Sequence, residues 1–276
     1  MGFCFLKGVH QVYIGRFSLV AVFCAGAALA QSGSSASAAL APRTTLPVAF
    51  TKTIDANHAT AGDPVTARTI QTIRLADGRE VRSGAQVLGH VVSVQPFVVD
   101  KTPYAKEKEG LLAIQFDSLA TPSGEKIPLQ VYLRAMADTF ASTAALEPPP
   151  SDLDPLHSTT QVGGDILTPS QAEIVNQQGD IVGYNKRGGA YAHLIANSGR
   201  GAARCDASDT EQAMALFSAS ACGLYGFADL NLTSTGFESD SSTFTLTSRR
   251  RSPEIFRHST ALLEVVSGTS IASVTR

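Results

Sequence analysis

The chain has 276 residues, 43% of them hydrophobic, enough to bury one large or two modest cores, so disorder throughout is excluded. A formal charge of -2 at pH 7 leaves no basic excess to hold nucleic acid or an anionic membrane. Trp is absent and aromatics make up only 7%, which argues against a carbohydrate groove built on Trp.

At the N-terminus, Lys7 and Arg16 precede a nearly unbroken apolar or small run from Phe17 to Ala28. Ala28-Leu29-Ala30 before Gln31 forms an A-x-A cleavage site, so residues 1–30 read as a signal peptide. The run is shorter than the roughly 20 apolar residues a membrane-spanning helix needs, which disfavours an uncleaved anchor. Phe23, before Cys24, stands where a lipoprotein signal wants a small residue. Cleavage would remove Lys7, Arg16 and no acid, leaving 20 basic and 24 acidic residues and a charge of -4. It would also remove Cys4 and Cys24, leaving Cys205 and Cys222 as an even pair in an oxidising compartment. A disulfide between them is expected. Two free thiols are the alternative, and the C-x-x-C spacing of a redox pair is absent.

Residues 31–44 form a Ser/Ala-rich flexible leader. Leu46, Val48, Phe50 and Ile54 then alternate with Pro47, Ala49 and Thr51, the pattern of a strand, with Pro47 marking an edge or a strand entry. Residues 62–94, GDPVTARTIQTIRLADGREVRSGAQVLGHVVSV, organise the rest. Val65, Ala67, Ile73 and Leu75 fall on one side of a period-2 pattern, Thr66, Arg68, Thr72 and Arg74 on the other, and Ile70 is the exception. Asp77-Gly78 supplies a tight turn. Gly84 and Gly89 mark bends or close backbone approach. After a charged loop over 96–110, residues 111–116 form a strand with Leu112, Ile114 and Phe116 on one face. Ser123-Gly124 is a turn, and residues 127–135 alternate as one further strand.

Composition shifts at residues 141–155, which carry Pro148-Pro149-Pro150 and Pro155 and read as a stiff linker. Residues 156–242 are rich in Gly, Ala and Ser, with weak strand signals at 181–184 and 190–195. A helix is expected over 209–218, where Ser208 and Glu211 form a capping box. Strand signals return at 243–247 and 261–266. The expected fold is therefore mostly β: an antiparallel barrel or sandwich from 45–140 plus 243–267, with an inserted, disulfide-stapled module over 156–242 carrying one short helix.

The order GDPVTA (62–67), Ser83-Gly84, Gly89 to Val91, Leu112 to Phe116 and PSGEKIPL (122–129), closed by RSPEIFRHSTALLEVV (251–266), resembles the C-terminal barrel of the TrbI-type core-complex component of type IV secretion and conjugation machines. The resemblance covers 45–137 and 243–267. It implies a barrel fold in a cell-envelope setting. The chain departs from that family in having a cleavable signal in place of an inner-membrane helix. It also lacks the Pro-rich spacer and any long apolar helix pair for an outer-membrane pore.

Motifs of chemistry are sparse. His58, His90, His157, His193 and His258 show no H-E-x-x-H, H-x-H or Cys/His ligand spacing, so neither a metal nor another cofactor is expected. There is no G-x-S-x-G elbow, S-x-x-K or aspartyl-protease motif. Asp152/Asp154 and Asp206/Asp209 read as solvated loop acids rather than a glycosidase pair. Lys186 and Arg187, before Gly188-Gly189, and the run Arg249, Arg250 and Arg251 are candidate anion or partner contacts, or simply a hairpin tip and a strand end paired with local acids. The leading expectation is an exported, non-enzymatic envelope scaffold that contacts another envelope protein or a surface component. A small-ligand or glycan module using the insertion, and a hydrolase without visible motifs, are the alternatives. A lone apolar cleft at the insertion would favour the ligand-binding reading, and histidines and acids clustered in one deep pocket would favour the hydrolase.

Overall fold

The computed structural model describes residues 39–99, 103, 106–147, 157–196, 205–234 and 242–266. The expected signal peptide over 1–30, most of the expected leader, the Pro148–Pro150 block and Asp152/Asp154 lie outside the described residues. The fold is mostly β, as expected. In chain order the strands are β1 (Thr45–Phe50), β2 (Ile54–Asp55), β3 (Pro64–Thr69), β4 (Ile73–Arg74), β5 (Glu80–Val81), β6 (Gln86–Gln95), β7 (Gly110–Ala120), β8 (Lys126–Pro128) and β9 (Val131–Ala137). Helix α1 (Thr139–Leu146) follows. Then come β10 (Thr159–Thr160), β11 (Ile166–Leu167), β12 (Glu173–Val175), β13 (Ile181–Lys186), β14 (Gly189–His193), β15 (Glu211–Ala213), β16 (Gly223–Tyr225), β17 (Asn231–Ser234), β18 (Thr243–Ser248), β19 (Glu254–Ile255) and β20 (Thr260–Val265).

The large sheet runs β16-β9-β20-β1-β3-β6-β7-β18-β17, with β8 added on β7, and curls into a nearly closed barrel. The returning strands pair with the first part as expected: β20 lies between β1 and β9, and β18 pairs with β7. Along the seam, hydroxyls replace part of the ladder. Val131 N–H donates to Ser242 Oγ (2.8 Å) and Leu133 N–H to Ser234 Oγ (3.2 Å). Phe50, Phe116 and Phe244 pack in series inside, with ring centroids 6.0 and 6.1 Å apart. Pro47 marks a strand entry rather than an edge: β1 is central, but its ladder with β3 starts only at Val48. Ile70 breaks the alternation because β3 ends at Thr69. At Gly89 the β6–β7 register shifts, and an added Cβ would come within 2.2 Å of the Gln115 carbonyl oxygen, so only glycine fits.

Four expectations need correction. Residues 127–135 are not one strand: Ile127 lies on β8, and β9 starts at Val131. The supposed linker begins as α1, whose Asp138 caps it by accepting the Ala141 N–H at 2.7 Å. No helix spans 209–218. Residues 211–213 instead pair with β14, and Ala215 adopts a left-handed φ of 48°. The open edge of β14 offers a full ladder there, and Ser208 Oγ bonds with Thr210 and Gln212 instead of capping a helix. Finally, the insertion is not separate from the barrel sheet, because β16 and β17 both join it.

Candidate functional site

Strands β10 to β15 form a six-stranded antiparallel sheet, and this second sheet lies on the outside of the barrel. Ala135, Ala137 and Leu262, on the outer face of β9 and β20, pack with Val162, Leu194, Met214, Leu216 and Phe217 of the insertion. Strand β9 is consequently buried on both faces.

A charged clamp holds this junction. The β9–β20 register places Leu263 opposite Leu133 and Leu262 opposite Ala135, leaving Arg134 as the extra residue of a bulge. A bulge re-aims a side chain, and Arg134 is 0% exposed beneath the insertion. Its guanidinium donates to the carbonyls of Ile195 (2.8 Å), Asp206 (2.7 Å) and Ala221 (3.2 Å), and to Glu264 Oε2 (3.4 Å). Asp206 and Ala221 adjoin Cys205 and Cys222, which form the expected disulfide with Cα atoms 6.0 Å apart. Arg43 Nε stands 3.7 Å from Glu264 and Arg43 also donates to the Ala207 carbonyl. Burial pushes the Glu264 carboxyl up, against the opposing pull of Arg134 and Arg43. Burial likewise pulls the Arg134 guanidinium down, opposed by Glu264.

The two sheets also leave a crevice of about 550 Å³. Ile70, Ala145, Leu146, Leu167, Pro169 and Leu216 give it apolar walls. Its floor is fixed by two glutamines. Gln71 Nε2 donates to the Ala190 carbonyl (2.8 Å) while its Oε1 accepts the Ala215 N–H (2.5 Å), and Gln161 Nε2 donates to the Ala215 carbonyl (2.9 Å). His157 and His258 also line it, with Thr159, Asn185 and Thr260.

The basic residues singled out in the sequence as anion or partner contacts lie elsewhere. Lys186 pairs with Glu211 (2.5 Å) and sits over the rings of Tyr184 and Tyr191, while Arg187 is exposed at the tip of the β13–β14 hairpin. Arg249 pairs with Glu109 (2.5 Å), Arg250 with Asp229 (3.0 Å), and Arg251 donates to the Ala228 carbonyl (2.9 Å). These two basic groups lie on different sheets, and no ion pair or hydrogen bond among the described residues joins them. His58 and His90 pair with Asp55 (2.7 Å) and Asp117 (2.8 Å) at the surface. A second cavity, of about 480 Å³, is lined by Asp55, His58, Asp63 and Glu254. Burial and the neighbouring Asp55 push Glu254 up. Among the described residues no group of three or more His, Cys, Asp or Glu side chains is arranged to hold a metal ion. No family model matches the chain, and no curated protein matches it.

Proposed function

We propose that this protein is an exported, non-enzymatic binding module of the cell envelope, in which the barrel is the scaffold and the inserted sheet forms with it a crevice for a small, largely apolar molecule. The crevice itself carries the reading. At about 550 Å³ it falls within the roughly 300–1,000 Å³ typical of small-molecule sites, which are mostly apolar with a few placed polar groups. Export is supported by the N-terminal signal pattern, the resemblance to an envelope barrel, and a disulfide that fits an oxidising compartment. No helix among the described residues is long and apolar enough to cross a membrane. Docking of another envelope protein is the second reading, favoured by Phe140 and Phe256, which stand out at 86% and 48% exposure near the contact of Thr139 with the Arg257 carbonyl.

The test is titration of the exported full chain with an uncharged fluorescent naphthylamine. Saturable binding is expected. Leu146→Arg, at a crevice residue that is 63% exposed, should weaken it at least about tenfold without unfolding the protein, since a cation suits the end of a helix. Absence of saturable binding to the wild type, or unchanged affinity in the variant, would overturn the proposal.

A further inference from the structure

Backbone strain converges on the crevice. Five described non-glycine residues have positive φ, and three of them, His157 (52°), Ala215 (48°) and His258 (71°), line this one cavity. Such conformations are costly for residues other than glycine and gather at ligand clamps. Ala215 is held by Gln71 and Gln161, so its strain is offset by bonds within the protein. The histidines differ. They come from distant segments, the approach to β10 and the turn before β20. Both are exposed, and neither ring makes a hydrogen bond or ion pair with any described residue.

We infer that His157 and His258 receive the anionic head of an amphiphile whose apolar part lies between Ile70, Leu146, Leu167 and Leu216; this rests on the crevice being a binding site. The polar lining favours an anion. Among the described residues no Asp or Glu lines the crevice, and the two rings are the only titratable groups in that lining. A ligand cation would find no counter-charge among the described lining residues. An imidazole N–H can donate whichever tautomer is present, and so can both nitrogens of the cation. Gln71, Gln161, Thr159, Asn185 and Thr260 each bond to a partner within the protein, which leaves the histidines as the ready donors of the described lining. A carboxylate on a hydrocarbon chain or ring has the required chemistry.

The experiment is displacement of the uncharged naphthylamine from the full chain at pH 7 by decanoate, decanol and decyltrimethylammonium. Decanoate should bind at least about tenfold more tightly than decanol, the scale of one hydrogen bond to a charged group, and the cation should bind most weakly. His157→Gly/His258→Gly removes the donors while tolerating positive φ. It should abolish the preference for decanoate by lowering decanoate affinity far more than decanol affinity, with the same cooperative melting transition. Equal affinity of decanoate and decanol for the wild type, or a preference retained in the double variant, would overturn the anionic head while leaving the crevice reading intact. Failure of the naphthylamine itself to bind would remove both.

Discussion

Replacing Arg134 by Met should destabilise the protein severely, and the deficit should depend on pH. The substitution leaves the Glu264 carboxyl, 1% exposed, without its buried partner and takes the donor from the carbonyls of Ile195, Asp206 and Ala221. Breaking one side of a buried pair costs about 3–5 kcal/mol, and three orphaned acceptors push the effect toward the upper end. That is a large share of the roughly 5–15 kcal/mol of a typical domain. Burial already raises the Glu264 pKa in the folded protein. Losing Arg134 removes the first of the attractions opposing that rise, so it rises further. A carboxyl raised in the folded state holds its proton more tightly there than in the unfolded chain. Its contribution is full below the unfolded value of about 4.3 and is lost as pH climbs through the folded value. The deficit should therefore be largest near about pH 8 and shrink toward about pH 4.5. Urea unfolding of the oxidised variant at both pH values measures it. Arg134→Met/Glu264→Leu should recover the share of the loss owed to the unpaired carboxylate, because an apolar pair can replace a buried ion pair at little cost, while the three carbonyls stay without their donor. A deficit equal at both pH values, or a double variant no more stable than the single one, would refute the reasoning.

Cys222→Ser opens a link between cysteines 17 residues apart and should cost about 3 kcal/mol in the loop-entropy model. Hydrogen exchange should then accelerate in β14 and β15 while β6 and β7 stay protected, and alkylation of the non-reduced, denatured wild type should label neither Cys205 nor Cys222. Gly89→Ala forces a Cβ against the Gln115 carbonyl and should destabilise the barrel by about 1–3 kcal/mol or more; a thermal midpoint equal to that of the wild type would show that β6 does not lie as described.

Short-range signals in the sequence were enough for the class of the fold and many of its joints. The turns at Gly78 and Gly124 fall where Asp-Gly and Ser-Gly require them, each with positive φ. Leu112, Ile114 and Phe116 point to one core because a strand's side chains alternate. Helix α1 was missed, because the Pro148 block gave the whole stretch the character of a linker, although Asp138 is a good N-cap and the prolines lie just beyond the helix. The disulfide followed from counting cysteines.

The junction was not legible, because it is made between segments far apart in the chain. Arg134 continues the polar side of an alternating strand and reads as solvated. Only the second sheet lying over β9, together with the bulge, makes it a buried clamp. Residues 209–218 carry a capping box, yet the free edge of β14 outcompetes a short isolated helix, whose few hydrogen bonds form only after a costly nucleus. His157 and His258 lie in no motif, and their strained backbone and shared crevice exist only once β20, α1 and the inserted sheet are packed. Local spacing determined the strands and turns of this protein; docking one sheet on the other decided which polar residues were buried and where an apolar space was left.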